Sequence, residues 1–292
     1  MRIAIVIPVF NGLIYLQKSL PPLIKQIKKT ESWKFQIIVT DDNSNDGTAE
    51  WLNLNYPDII VLKGNGNLWW SGGTNLGVQY AIANQEYKYV LLWNHDTICA
   101  DDYFNNLIKN VEKFDGKTII ASKVFFLAKP DILFGMGAFF DPKTGKLKMN
   151  GYGMIDSDEF KHPVQVDWTG GMGTLIPAEI FRQVGWFDQK NFPQYYGDCD
   201  FFLRAKEKGF IMVAVPDLKI WNDKSSSGLE HNAKWRSYFR TLFSVRSNYN
   251  VVIAYKFRKR HCKSFIFHFY YFYGIIQYFG SFLKHWIKSL FR

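Results

Sequence analysis

Three short stretches of this chain have residue types and spacing suited to chemistry. In "YVLLWNHDT", residues 89–97, an apolar run ends on Asn94-His95-Asp96. A carboxylate at that point is either a turn residue or a metal ligand delivered by a strand end. In "TDDNSNDGT", residues 40–48, a second apolar run ends on paired carboxylates. Either Asp41 or Asp42 could accept the N3–H of a uracil or thymine. In "YYGDCDFFLRAKEKGF", residues 195–210, Asp198 and Asp200 open a helical pattern. A carboxylate there could act as a general base, kept ionised by the helix N-terminus. Asp200 is spaced to pair with Arg204 along the helix and reads as supporting or solvated.

The elements that must position these residues alternate. Apolar runs predict strands over 3–9, 35–40, 59–63, 89–93, 118–121 and 211–215. They are continuous rather than alternating, as in strands covered on both faces. Helical patterns lie between them over 13–29, 46–53, 74–86, 102–114, 177–184 and 198–208, with Asp46 as an N-cap and Pro177 in a first turn. Residues 126–166 read as loops and short hairpins. The alternation predicts an α/β fold, a single mostly parallel central sheet flanked by helices. Such a sheet binds ligands at the carboxyl ends of its strands. Each of the first four strand ends is polar or glycine-rich: Pro8-Val9-Phe10-Asn11, Asp41-Asp42, the 64–77 segment "GNGNLWWSGGTNLG", and Asn94-His95-Asp96. Gly72-Gly73 would let backbone approach a ligand and lead into a helix N-terminus suited to phosphate. Asp96 suits Mg²⁺ or Mn²⁺, which take carboxylate oxygen. Trp69-Trp70 read as core packing for at least one of the pair. Neither a dinucleotide-binding GxGxxG nor a P-loop follows the first strand.

In order along the chain, these motifs resemble glycosyltransferase family 2, inverting enzymes with the GT-A fold. The likeness covers about residues 1–225. It rests on "IAIVIPVFNG", "VTDDNSNDGT", "NLWWSGGTNLG", "LLWNHDT", "WTGGMGTLIPAEIFRQVGWFDQ" and "YYGDCDFFLRAKEKGF". The resemblance implies a nucleotide-sugar donor bound by Pro8, Val9, Phe10, Asn11, Asp41, Asp42, Asn67, Gly72, Gly73, Asn75, Asn94 and His95, with Asp41 reading the base. It implies a divalent cation, Mg²⁺ or Mn²⁺, on Asp96. Trp168, Gly170 and Gly171 fall on the acceptor side, and Asp198 is the implied catalytic base. Three positions depart from the family pattern: Trp69 where Gly is common, Gly197 in place of Glu, and Asn222 or Asp223 where a metal-binding His commonly follows the last core strand.

The chain has 292 residues, a net charge of +10 and 47% hydrophobic residues, enough for a sizeable core. Residues 231–292 hold twelve of the 36 Lys and Arg and no Asp or Glu, so the first 230 are close to neutral. A near-neutral body argues against a nucleic-acid partner. Residues 265–283 contain no Asp, Glu, Lys or Arg and ten Phe or Tyr, with basic residues on both sides. This predicts a C-terminal extension from 226 that lies on an anionic membrane rather than spanning it. The expectation is a peripheral enzyme on the cytoplasmic face of the plasma membrane, acting on a glycan or lipid-linked glycan. Three scattered cysteines fit a reducing compartment, and the opening apolar run is too short for a signal peptide. Two rival readings are a sugar nucleotidyltransferase, which would want a basic GxGxR-like loop, and a non-catalytic membrane scaffold, which would not need Asp96 or Asp198.

Overall fold

The computed structural model describes residues 1–30, 32–83, 86–114, 116–223 and 235–290, with side chains for all but 235–238 and 285–290. The strands are β1 (Arg2–Val9), β2 (Lys34–Asp41), β3 (Ile60–Lys63), β4 (Tyr89–Leu92), β5 (Thr97–Cys99), β6 (Ile119–Phe126), β7 (Lys129–Gly135), β8 (Ala138–Asp141), β9 (Lys146–Met149), β10 (Val164–Gln165), β11 (Thr174–Pro177) and β12 (Met212–Asn222). The helices are α1 (Leu13–Lys28), α2 (Thr48–Asn55), α3 (Trp69–Ala83), α4 (Tyr103–Lys113), α5 (Ala178–Val184), α6 (Gly197–Glu207), α7 (Trp235–Phe243), α8 (Val251–His261) and α9 (Ile266–Leu290).

The central sheet runs β10-β12-β6-β11-β4-β1-β2-β3. β1 is parallel to both β2 and β4, β2 to β3, and β6 to β12. β11 enters antiparallel between β4 and β6. The chain goes from β1 out to β3 on one side and returns to β4 on the other, so the order reverses at β1/β4. That reversal opens a crevice at the carboxyl ends of the strands. The register makes those ends flush, with Val9 opposite Asp41 and Asp41 opposite Lys63.

Both sheet faces are covered, which is why the strands read as continuous apolar runs. Ala4, Val6, Val90 and Leu92 face a core shared with α3, α5, α6 and α8. Ile3, Ile5, Ile7 and Leu91 face one shared with α1, α2 and α4. α3 lies tight on β1 because it carries glycines there. A Cβ on Gly77 would sit 2.5 Å from Val6 Cγ1, and one on Gly73 3.1 Å from Pro8 Cβ.

Several boundaries differ from those the sequence predicts. α3 begins at Trp69 rather than at 74, so Gly72 and Gly73 lie inside the helix and not in a loop before it. α2 begins at Thr48 with Gly47 as N-cap. Asp46 instead accepts from the amides of Leu13 and Thr48, joining the starts of two helices. Pro177 closes β11 and is the N-cap of α5. β12 runs on to Asn222, past the 211–215 prediction, because a register shift between Ala214 and Lys219 accommodates Pro216. Within 126–166, β7 and β10 join the central sheet while β8 and β9 form a separate hairpin.

The predicted domain boundary at 225/226 lies outside the described residues. Beyond it, α8 is not detached from the body. Phe257 is fully buried and packs against Phe140, Phe192 and Tyr196. Among the described residues, no helix is long and apolar enough to cross a membrane.

Candidate active site

The site begins with the loops after β1 and β2. Asn11 donates its amide to Ser44 Oγ at 2.8 Å and accepts from the Asn45 amide at 2.9 Å. Ser44 in turn donates its amide and hydroxyl to Asp41 Oδ1. The two aspartates that the sequence leaves equivalent have different duties. Asp42 accepts from the amides of Gly66 (2.7 Å), Leu68 (2.8 Å) and Trp69 (3.3 Å) through both oxygens. Its carboxylate is committed to holding the 64–69 loop. Among the described residues, Asp41 is engaged through Oδ1, by Ser44.

That loop ends at Trp69, whose φ of +58° is left-handed. A left-handed residue favours glycine, which accounts for Gly being common at this place in the family pattern. Among the described residues, the other non-glycine residues with positive φ are Asn11, Asn43 and Tyr196. Asn11 and Asn43 lie on loops of the site, and Trp69 and Tyr196 stand at the starts of α3 and α6, places where backbone strain tends to collect. Trp69 Nε1 donates to Asn67 Oδ1 at 2.8 Å, and the Arg246 guanidinium from the α7–α8 loop lies 5.8 Å from its ring centre.

Trp70 links the donor side to the acceptor side. Its Nε1 donates to Asn94 Oδ1 at 3.2 Å, and its amide donates to Gln194 Oε1 at 3.1 Å. Its ring packs edge-on against Phe187 and lies so close over Gly171 that a Cβ there would come within 2.1 Å. Gly171 is therefore small because an indole occupies the space. A Cβ on Gly170 would stand 3.7 Å from Asp198 Oδ2. Trp168 is buried, donating Nε1 to the Phe139 carbonyl at 3.4 Å. Asn75 belongs to the scaffold. It donates to the Phe187 carbonyl and Gln189 Oε1 and accepts from the Phe187 amide, pinning α3 to the 187–189 segment.

After β4, His95 packs edge-on against Tyr15, and its backbone carbonyl accepts from Ser19 Oγ. Burial holds its imidazole below the usual range, opposed by the Asp96 charge and a bond to the Pro8 carbonyl. Asp96 is buried and accepts from Asn222 Nδ2 at 2.8 Å. Asn222 ends β12, and the Asp223 amide donates to the Asp96 carbonyl at 3.2 Å. Among the described residues there is no cluster of three or more His, Cys, Asp or Glu able to hold a metal by themselves. One carboxylate beside an amide fits an ion of the Mg²⁺ kind, which takes its remaining ligands from phosphate oxygens and water.

Asp198 stands at the start of α6, partly buried, accepting from the Cys199 amide at 2.8 Å. Burial works here against the charge-favouring start of the helix. Burial raises its pKa above the usual carboxylate range, and the Cys199 bonds offset this only in part. Asp200, two residues on, is fully buried and not solvated. Arg204 donates Nε to it at 2.9 Å, as the spacing predicts.

The resemblance put Asn222 or Asp223 near the metal position, and Asn222 does meet Asp96; sequence reasoning missed Trp70 beside Asn94 and Arg246 over Trp69. Neither of these two pairs has a local signature, because each is formed only by the sheet order.

This architecture and these motifs define a family. The model of glycosyl transferase family 2 matches residues 4–157, and that of glycosyl transferase family group 2 matches residues 89–291. The chain belongs to glycosyltransferase family 2. It is 26% identical over 258 residues to an uncharacterized glycosyltransferase of Rickettsia typhi, covering 82% of this chain and 72% of that protein. It is 23% identical to the dTDP-rhamnosyl transferase RfbF of Shigella flexneri, covering 79% and 74%. It spans 58% of a Rickettsia prowazekii relative and 29% of the galactofuranosyltransferase GlfT2 of Mycobacterium tuberculosis. Among solved structures it resembles S. aureus TarS 1–349 in complex with UDP-GlcNAc (TM-score 0.55, 14% identity, 89% of this chain and 72% of that one). It also resembles GalNAc-T7 with UDP, GalNAc and Mn²⁺ (TM-score 0.58, 14% identity, 92% and 56%). At that identity the likeness speaks for the GT-A fold.

Proposed function

We propose that the chain is an inverting glycosyltransferase that takes a sugar from a UDP- or dTDP-sugar. The acceptor is a glycan, lipid-linked, in cell-surface polysaccharide assembly. The observation that carries this is the set of contacts that joins the ends of β1 and β2, where Asp41 lies, and the segment after β4, which carries Asn94 and Asp96, to the start of α6 with Asp198. Trp70 ties Asn94 to the Gly170-Gly171 turn beside Asp198.

Asp41 uses its second oxygen to accept the N3–H of the base, while Asp42 shapes the loop around the nucleotide. Asp198 takes the proton of the acceptor hydroxyl as its oxygen attacks the anomeric carbon. The bond to the diphosphate breaks on the opposite face, and the configuration inverts. Asp96, with Asn222, would hold a divalent cation, which would neutralise charge on the leaving diphosphate. Gly170 and Gly171 leave room for the acceptor beside Asp198, and Trp168 supports that turn.

The reading includes a peripheral place on the cytoplasmic face of the plasma membrane. α9 supports it by being apolar on two sides. Phe267 and Phe282 are buried, and the Tyr271 hydroxyl donates to the Val251 carbonyl, so one side packs on α7 and α8. Phe265, Phe269, Phe272, Ile276, Phe279 and Leu283 form an exposed stripe at alternating spacings of four and three. Arg258, Lys259, Lys263 and Lys284 flank it, as an interfacial helix on anionic lipid requires.

The test is nucleotide release from a panel of UDP- and dTDP-sugars, with and without Mg²⁺ or Mn²⁺. Asp96→Ala should abolish the metal-dependent part and leave the circular dichroism spectrum unchanged. Near-normal release with an unchanged metal response removes Asp96 from the role.

A further inference from the structure

Asp200 is fully buried two residues after Asp198. A buried carboxylate persists only where charged or polar partners replace its lost hydration. Asp200 has such partners on two sides. From its own helix, Arg204 donates Nε to Oδ2, while Nη1 and Nη2 reach the carbonyls of Val184 and Trp186 at 2.8 Å each. From α8, Arg260 donates Nη1 to Oδ1 at 2.7 Å, and His261 Nε2 lies 3.0 Å from the same oxygen. Burial alone would raise the Asp200 pKa, but the bond from His261, the Arg204 charge and the Arg260 bond outweigh it and hold it low. Asp200 is therefore an anion, and His261 Nε2 is the donor. The second arm of the Arg260 fork, Nη2, reaches Asp188 Oδ2 at 2.7 Å. Asp188 also accepts from the backbone and side-chain amides of Asn191.

The start of α6 has no side-chain cap of its own. α8 grips it at two points instead. Phe257 packs on Tyr196, ring centres 4.9 Å apart, and Arg260 with His261 holds Asp200. Asp198 lies between those points along the chain. We propose that Arg260 and His261 of the C-terminal extension are positioning residues for the transfer reaction. Through Asp200 they fix the first turn of α6, and with it the place where Asp198 meets the acceptor hydroxyl. The proposal rests on the reading of Asp198 as the base.

The test uses the full chain and the sugar nucleotide of the panel that wild type hydrolyses fastest. Arg260→Ala should lower nucleotide release ~10- to 100-fold, as a small misplacement of a reacting group does. UDP affinity by calorimetry should stay within about twofold, because Asp41 and its loop are untouched. Arg260→Lys keeps the charge but cannot span Asp188 and Asp200, so it should recover only part of the rate. His261→Gln, which keeps a donor, should exceed His261→Ala. Hydrogen exchange should quicken in the peptide covering residues 196–203 and not in β1.

Combining Arg260→Ala with Asp198→Asn should add little to the loss from Asp198→Asn alone, as for residues acting as one unit. A fully additive loss overturns the proposal. So does a folded Arg260→Ala with wild-type release and unchanged exchange at 196–203. If Arg260→Ala does not fold, Asp188→Asn releases only the outer arm of the fork and must show the same pattern in milder form. Wild-type release by Asp198→Asn would sink the base reading instead, while the exchange result still judges the coupling of α8 to α6.

Discussion

Asp198 and Asp200 stand two residues apart on one helix in opposite environments. Asp200 meets three donors and is held ionised, whereas Asp198 meets mainly the Cys199 amide and burial raises its pKa. A carboxyl shifted upward is a better proton acceptor near neutral pH. The acid limb of the rate profile should then lie above the ordinary carboxylate range of about 4. Asp198→Asn should cost roughly 10²–10⁴-fold in transfer and remove that limb. The linkage has a definite sign. A carboxyl whose folded pKa is raised favours folding below its unfolded pKa and loses that contribution as pH rises through the folded value. Melting temperature of Asp198→Asn should thus exceed wild type at neutral pH, with the gap closing in acid. A lower melting temperature at neutral pH would contradict the burial argument. Asp41 gives a second prediction at this scale. Asp41→Ala should weaken binding of uridine and thymidine diphosphates alike without lowering the melting temperature much. Asp42→Ala, by contrast, frees three backbone amides and should destabilise the loop itself. Unchanged nucleotide affinity in Asp41→Ala would move base recognition elsewhere.

At the scale of elements, the glycines of "NLWWSGGTNLG" show how a motif can be right in place and different in reason. Gly73 and Gly77 are spaced to lay α3 against β1, and Gly72 faces Leu68 and Gln189. Gly77→Ala sets two effects against each other. Helix propensity favours alanine by about 1 kcal/mol. Overpacking a close contact costs about 1–3 kcal/mol, and here the new Cβ would meet Val6 Cγ1 at 2.5 Å and Thr40 Oγ1 at 3.0 Å. Neither neighbour is a flexible chain end, so the clash wins. Thermal melts should show Gly77→Ala less stable than wild type, with part of the loss restored by Val6→Ala. A neutral or stabilising Gly77→Ala would mean that α3 can lift off β1 freely.

At the scale of the molecule, charge and aromatic residues are unevenly placed. The first 230 residues are near neutral, while the extension carries the excess positive charge. Its helices divide the work. α8 buries Phe257 in the main core and braces α6, whereas α9 leaves an apolar stripe outside. A truncation before α7 would therefore damage the fold and the site as well as any membrane contact. The sharper test replaces Phe269, Phe272 and Ile276 together with serine. Flotation with anionic liposomes should fall strongly while nucleotide release is kept. Binding of wild type should weaken with salt, since each basic residue near anionic lipid contributes about 1 kcal/mol that counter-ions screen. Undiminished flotation of the triple variant would show that the stripe serves some other contact.

The sequence by itself determined the alternation of strands and helices and the polar strand ends that carry Asp41 and Asp96. These are readable because hydrophobic period, chain direction and motif order are local properties. Residue type and spacing did not separate Asp41 from Asp42, and only the family resemblance pointed to Asp41, since neighbours in a chain share one local context and differ only in what folds against them. Sequence reasoning missed β11 and the length of β12, because proline at a strand end or bulge imitates a break. The tertiary structure alone decided that Asn222 meets Asp96, 126 residues away. It also decided that Trp70 fills the space over Gly171, and that Arg260 and His261 reach back some 60 residues to Asp200. Such pairs follow from strand order and helix docking, which depend on the packing of the whole chain and leave no periodic mark at either residue.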